Sequence, residues 1–230
     1  MSTALTSAAE TSTEVRGVPR WLLVATLALV ALNLREVLTS VPPLTVDIAG
    51  QMGWNAVTIG ALTTLPVLGM CVFALIVPRL AAALGTRRVV WIGLMILVCS
   101  LALRLGGGLP GVLHVAVLLA GLGLAMVGGL MPTIVREQFP NRVGLTSGMW
   151  TAGMFVGATL GAALTVPLEH RLGSWQQALA IWTVPAVCAL LAWTMVERPW
   201  SGNASSQRMS LRLPVRSAPA WALTGYCAVN

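Results

Sequence analysis

Charged residues are scarce in this chain. Its 230 residues are 9% charged and 57% hydrophobic, and the mean hydropathy is +0.83. A soluble domain carries about 25% charged residues, and a core of this size could not hide the surplus apolar surface from water. The shortage of charge excludes a soluble enzyme and a soluble nucleic-acid-binding protein, and it indicates a membrane protein.

Lysine is absent, so all 14 basic residues are arginines, set against 7 acidic residues. The arginines stand singly or in pairs between apolar runs. Nucleic-acid binding needs a basic face with aromatic side chains on which bases stack. The arginines therefore predict the orientation of membrane helices, and no nucleic-acid partner is expected.

The usual patterns of catalytic and cofactor sites are also missing. Four cysteines and two histidines occur without paired or metal-ligand spacing. The chain has no phosphate-binding GxxxxGK[ST] loop. The first 20 residues lack the apolar region and cleavage site of a signal peptide. We therefore expect no enzyme, no cofactor and no metal.

Six long apolar segments make up most of the sequence. Each is close to the length that an α-helix needs to cross a hydrocarbon core of about 30 Å. Open sheets cannot span lipid, and no segment alternates as a barrel strand does. The sequence thus predicts an all-α membrane protein with a six-helix bundle over 21–196. The predicted helices are 21–46, 58–84, 89–105, 111–135, 143–168 and 175–196.

Polar segments flank the predicted bundle. Residues 1–20 form an N-terminal tail, and 197–219 is a basic, Ser-rich linker. Apolarity resumes at 220–230, which as a helix would reach only about 17 Å. We therefore expect this stretch to be the truncated start of a seventh helix, and the chain to be the amino-terminal part of a longer protein.

The distribution of arginines predicts the orientation of the bundle. Eleven fall on the side of the N-terminus, two (Arg104 and Arg171) on the opposite side, and Arg35 within the first span. Cytoplasmic segments are enriched in positive charge. The expected location is therefore the cell membrane, with the tail 1–20 and the linker 197–219 in the cytoplasm.

Arg35 is the leading candidate for a functional residue because it lies deep in the first apolar run. An arginine at the centre of a span costs about 2.5–3.5 kcal/mol on insertion scales. It can offer a fixed positive charge and five donors to an anionic or polar substrate. Alternatively, it forms a structural ion pair with Glu36 or another helix, although sequence neighbours on a helix point about 100° apart.

Other polar and aromatic residues extend this candidate site. Thr39 lies one helical turn beyond Arg35 on the same face, so it is predicted to contact the same substrate. Pro42 and Pro43 interrupt the helix, and they either shape a cavity or only kink the packing. Trp150, inside the fifth span, is either a core aromatic or a cavity wall that contacts substrate.

Glycines recur every four residues on one face of the fifth predicted helix, at Gly153, Gly157 and Gly161. Small residues at this spacing let two helix backbones approach closely. The pattern predicts a tight helix contact more than a ligand contact.

Three segments together resemble the cyanate/nitroimidazole-porter-like branch of the major facilitator superfamily. They read ALNLREVLTSVPPL at 31–44, GALTTLPVLGM at 60–70 and PTIVREQFPNRVG at 132–144. The resemblance implies a twelve-helix fold of two six-helix halves, with the substrate between them near the bilayer midplane. This chain would supply the amino-terminal half, and Arg35 would face the substrate.

The resemblance also implies a gate on the cytoplasmic side. Many facilitators carry a Gly-x-x-x-Asp-x-x-Gly-Arg-Arg-like signature between the second and third helices, and this chain reads PRLAAALGTRR at 78–88. Ala82 stands at the Asp position, whereas Gly85, Arg87 and Arg88 match. These three residues are the predicted gating residues.

Two functions compete at this point. The first is secondary-active or facilitative transport of a small polar or anionic solute, in which a second six-helix half or a second copy of the chain completes the pathway. The second is a non-transporting membrane remnant, or an assembly partner of a separately encoded second half. Glu36 is the acidic residue placed deep in a span, so proton coupling has little support and uniport is equally open.

Overall fold

The computed structural model describes residues 20–109 and 111–197. The expectations for the tail before Arg20, for the linker from 198 to 219 and for 220–230 lie outside the described residues. Within them the chain forms α-helices and short 3₁₀ turns, with no strand. The helices are α1 Arg20–Thr39, α2 Thr45–Met52, α3 Ala56–Ala74, α4 Val77–Leu84, α5 Thr86–Leu103, α6 Val112–Gln138, α7 Val143–Leu172, α8 Trp175–Ala180 and α9 Thr183–Glu197.

Six segments of the described chain are long and apolar enough to cross a membrane, as the sequence predicts. They are Trp21–Met52, Ala56–Ala74, Thr86–Gly106, Val112–Gln138, Pro140–Leu172 and Trp175–Val196. The second predicted helix is divided into α3 and α4. The division has a local cause, because Pro78 fits the first turn of a new helix but would break the interior of a continuous one.

The helices pack as a group of three and a pair, joined by one further helix. α3 and α5 both lie along α6, α7 lies along α1, and α9 joins the two groups by packing on α1 and α5. The hydrophobic core has a large cluster that includes Val30, Leu97 and Val127. A smaller cluster around Trp175 and Leu44 closes the bundle where α1 ends.

Glycines set the distance between α1 and α7. A Cβ on Gly157 would collide with the Leu32 carbonyl, and one on Gly161 would lie 3.2 Å from the Glu36 Cα. A Cβ on Gly153 would lie 3.1 Å from the Ala31 Cβ. The predicted tight helix contact is therefore confirmed, and its register shows that α1 and α7 run parallel.

The share of each span that is buried inside the protein differs strongly. In the most apolar window of each, 56% of α6 and 50% of the first span is buried, but only 17% of α3 and of α7. α1 itself keeps exposed residues at Trp21, Ala25 and Arg35. We call the side of α1 that carries these residues the open face.

Candidate functional site

Arg35 lies on the open face of α1. It stands 15 residues after Arg20, about 22 Å along the helix axis, and its side chain is exposed. No side chain or backbone group among the described residues pairs with its guanidinium. The pair with Glu36 that the sequence left open is not formed, because the two neighbours point to different sides of the helix.

Glu36 points about 100° away from Arg35, to a fully buried side of α1. Its relative exposure is 0%, and both carboxylate oxygens are buried without a partner of hydrogen-bond geometry among the described residues. A buried carboxylate is costly in an apolar bundle unless a positive charge compensates it.

Arg104 is the positive charge that acts on the Glu36 carboxyl group. It lies at the end of α5, on the side of the bundle where the sequence places it, but its burial is not evident from the sequence. It begins the 3₁₀ turn Arg104–Gly106 at the end of α5 and is 0% exposed. Its Nη1 donates to the Ser40 Oγ at 3.0 Å, and its Nη2 donates to the Val37 carbonyl at 3.0 Å. Arg104 therefore joins the end of α5 to the end of α1.

The bond to Val37 has a clear physical reason. The Ser40 amide makes an i→i−4 bond to the Glu36 carbonyl, and α1 ends at Thr39. The carbonyl of Val37 therefore belongs to the last turn, where carbonyls lack backbone partners and carry partial negative charge. Arg104 satisfies one of them. We call Glu36, Ser40 and Arg104 the buried charge cluster.

Thr39 lies one turn beyond Arg35, as expected, but it sits at the contact with α7. Its hydroxyl donates to the Arg35 carbonyl at 3.1 Å, and a Cβ on Gly161 would lie 2.6 Å from its oxygen. The side chain is half-buried. Its donor is used within α1, which leaves only the oxygen lone pairs for another partner.

Trp150 is half-buried and packs against the large core cluster. The parallel register of α1 and α7 places Arg35 level with about residue 160. Ten residues of helix then separate Trp150 from that level, roughly 15 Å along the axis. The structure does not bring Trp150 beside Arg35 and favours the core aromatic of the two interpretations.

The predicted gating residues lie at the other end of the bundle, between α4 and α5. Gly85 has a φ of +88° and its amide donates to the Ala81 carbonyl at 2.9 Å. This backbone conformation favours glycine, because a Cβ would be strained there. Arg87 and Arg88 follow in the first turn of α5, half-buried and exposed respectively.

An apolar cavity of about 230 Å³ lies between the end of α1 and α3. Its buried walls are Val37, Val41, Leu62, Pro66 and Val117. Leu38 is half-buried, and Pro42, Thr63 and Val67 form the exposed rim. Pro42 lies at the rim of this space, whereas Pro43 does not line it.

This architecture is a six-helix membrane bundle with a well-packed interior and one side whose charge has no partner within the described chain. Bundles of this kind make up the halves of two-domain transporters. The sequence profile of the Major Facilitator Superfamily matches residues 21–230. The chain belongs to that superfamily.

Two curated relatives come from Escherichia coli (strain K12). The chain is 33% identical to the cyanate transport protein CynX over 203 residues, which cover 87% of this chain and 52% of CynX. It is 29% identical to a 2-nitroimidazole transporter over 223 residues, which cover 95% of this chain and 56% of that protein. The chain thus spans about half the length of these relatives.

A solved structure shares the fold. A peptide transporter of the POT type, crystallised with sulfate, superimposes with a TM-score of 0.69 at 18% sequence identity. The match covers 93% of this chain and 45% of that one. At this identity the likeness concerns the fold alone, and it confirms the predicted all-α membrane fold.

Proposed function

We propose that this chain provides half of a transporter for a small polar or anionic solute, working by secondary-active or facilitative transport. Arg35 recognises the solute through its positive charge, and the Thr39 oxygen offers a weaker second contact. Two relatives are named for the transport of cyanate and of a nitroimidazole. Both are small polar solutes, and cyanate is an anion.

The observation that carries this proposal is the exposed and unpartnered Arg35 in the middle of a span. An arginine there is costly, so a protein that made no use of it could gain stability by losing it. The buried arginine of the described chain, Arg104, has hydrogen-bond partners from within it. Arg35 requires a partner from outside the described residues, and an anionic solute is such a partner.

The open face of α1 also supports the proposal of a macromolecular partner. A facilitator pathway is walled by two repeats, with the substrate near the bilayer midplane. We propose that a second six-helix half covers the open face, with self-association of this chain as the other arrangement. In this arrangement the Arg20 end of α1 and the gating residues Gly85, Arg87 and Arg88 lie on the cytoplasmic side of the cell membrane.

Uptake measurements test the role of Arg35. The protein is produced from its complete reading frame in cells that lack their own cyanate transporter, and uptake of radiolabelled cyanate is measured. Arg35→Ala is expected to accumulate normally and to lose uptake. Arg35→Lys is expected to restore it only in part, because an ammonium lacks the planar fork of donors.

Arg171→Ala is the matched control, because Arg171 is an exposed arginine at the end of α7 and away from the open face. It should transport like the unaltered protein. Normal uptake by Arg35→Ala would refute the recognition role. The alternative of a remnant without transport remains a prediction, and it gains if the complete reading frame yields an inserted protein that takes up no solute of this class.

A further inference from the structure

Arg35 stands between two residues of α1 that are hydrogen-bonded to other elements. Asn33 precedes it by two residues, and Val37 follows it by two. The Asn33 Nδ2 donates to the carbonyl of Pro185 in α9 at 3.2 Å. The Val37 carbonyl accepts from the Arg104 Nη2, at the end of α5, at 3.0 Å. We call these two hydrogen bonds the ties of α1, and they hold the turn that carries Arg35 on both sides of that residue.

The ties act on the side of α1 that lies away from the open face. Asn33 and Val37 are four residues apart and so lie on one side of the helix, while Arg35 is turned by about 200° from each of them. Asn33 and Val37 are buried, whereas Arg35 is exposed. A rotation of α1 about its axis, or a shift along it, would stretch both ties and move Arg35 with the helix. The ties therefore fix where the guanidinium-bearing residue stands.

The Asn33 amide is not a residue that stability alone would favour. Its Nδ2 donates to the Leu29 carbonyl at 2.8 Å as well as to Pro185, but its Oδ1 is buried without a hydrogen-bond partner among the described residues. A buried oxygen without a donor is destabilising, and an apolar side chain of similar size would avoid that cost. A role in placing α1 gives the amide a use that compensates for it.

We propose that Asn33 and Arg104 are positioning residues, which hold Arg35 at the depth and direction where its guanidinium meets the solute. Arg104 acts through the Val37 carbonyl and through the Ser40 Oγ, to which its Nη1 donates at 3.0 Å. Both positioning side chains are buried, so they act on the solute only through α1. This inference rests on the proposed function and deepens it.

Two buried serines provide a matched pair of variants. Ser40 and Ser100 are both 0% exposed, and the Ser100 Oγ donates to the Ala116 carbonyl at 2.8 Å, which joins α5 to α6. Ser40→Ala and Ser100→Ala each remove one buried hydrogen bond, but only Ser40→Ala loosens the hold of Arg104 on α1. Concentration-dependent uptake of radiolabelled cyanate is measured with the protein from its complete reading frame. Ser40→Ala is expected to raise the apparent KM at least about fivefold, and Ser100→Ala should leave it unchanged.

Asn33→Leu tests the other tie. Leucine is close to asparagine in size and leaves no unsatisfied oxygen, so the variant should accumulate normally while the apparent KM rises at least about tenfold. Thr26→Val is the control, because Thr26 is also buried in α1 but its hydroxyl donates within the helix, to the Leu22 carbonyl at 2.8 Å. A purely structural role would lower accumulation and the maximal rate together and would leave the KM unchanged.

Combination with Arg35→Lys shows whether the ties act through Arg35. An ammonium on a flexible stem has no planar fork that must be aimed. Asn33→Leu and Ser40→Ala should therefore change the KM of Arg35→Lys by less than about twofold, whereas independent effects would multiply.

The outcomes distinguish this inference from the proposed function. If Arg35→Ala loses uptake but Asn33→Leu and Ser40→Ala keep the KM of the unaltered protein, the recognition role stands and the positioning role is refuted. Effects that multiply with that of Arg35→Lys also refute it, as does a failure of both variants to accumulate. A raised KM in one of the two variants alone assigns the role to that tie and refutes it for the other. If Arg35→Ala transports normally, the recognition role falls, and the inference falls with it.

Discussion

Charged side chains on two sides of α1 lie in different surroundings. On the buried side of α1, Glu36 and Arg104 are both 0% exposed, and the Arg104 guanidinium donates to Ser40 and to the Val37 carbonyl. On the open face, Arg35 is exposed and has no partner in the described chain. The guanidinium of Arg104 has hydrogen-bond partners within the described residues, whereas that of Arg35 requires a partner from outside them. Charge inside a membrane span therefore indicates function mainly where the bundle itself leaves it uncompensated.

The largest effect on stability is expected from removing Arg104 on the buried side of α1. Arg104→Ala would leave the Glu36 carboxylate buried without a counter-charge and would remove the bonds to Ser40 and Val37. Removing one partner of a buried pair costs about 3–5 kcal/mol. We expect strong loss of accumulation in the membrane and a lower unfolding temperature in detergent. Arg35→Ala is the contrast, and equal accumulation of the two variants would contradict the distinction.

A double substitution sharpens the same comparison. Replacing a buried ion pair by apolar residues of similar volume is often neutral or stabilising, because no charge remains to be desolvated. Glu36→Met combined with Arg104→Met is therefore expected to recover at least half of the stability that Arg104→Met alone loses. Thermal unfolding of the four proteins in one detergent gives the coupling. No recovery would mean that the bonds to Ser40 and Val37 dominate over the Glu36 charge.

A smaller effect is expected at the contact that fixes which side of α1 is open. A Cβ on Gly157 would meet the Leu32 carbonyl, which belongs to a backbone and cannot turn aside. Gly157→Ala should therefore push α7 from α1 and cost about 1–3 kcal/mol, as overpacking does. Gly148→Ala on the same helix meets nothing within 4 Å and should be neutral or slightly stabilising. Similar unfolding temperatures for both variants would contradict the close packing.

The sequence predicts the helices well because apolar length alone identifies a membrane span. It also identifies Arg35, since a charge 14 residues into an apolar run stands out without any knowledge of packing. The burial of Arg104 is not evident from the sequence, for the opposite reason. It lies at the end of a run, where arginines are ordinarily solvated, and only the packed bundle brings the end of α1 beside it.

The remaining differences also depend on tertiary contacts. Trp150 is separated from Arg35 by the parallel register of α1 and α7, and that register follows from the glycine contacts, not from the position of either residue in the chain. The cavity exists because α1 and α3 pack little against each other. Pro42, at its rim, is a residue that the sequence indicates as a possible cavity former, but the apolar walls come from three different helices.

The smallest effect is expected at Thr39, which lies between the two sides of α1. Its hydroxyl donates to the Arg35 carbonyl, and its oxygen rests against Gly161. Thr39→Val keeps the shape and removes one hydrogen bond, which contributes about 0.5–1.5 kcal/mol in a typical protein site. A bond within one helix belongs at the lower end of that range, because the carbonyl keeps access to a backbone partner.

For the solute, Thr39→Val removes an oxygen whose donor is already engaged. We therefore expect a change of no more than about threefold in the apparent affinity for the transported anion, or about 0.7 kcal/mol, against the complete loss expected for Arg35→Ala. Concentration-dependent uptake in the same cells measures both. If Thr39→Val abolishes uptake while the protein accumulates normally, the hydroxyl must leave its own helix to bind the solute. The end of α1 would then belong to the recognition site as fully as Arg35 does, and the division between its buried side and its open face would have to be drawn one turn earlier.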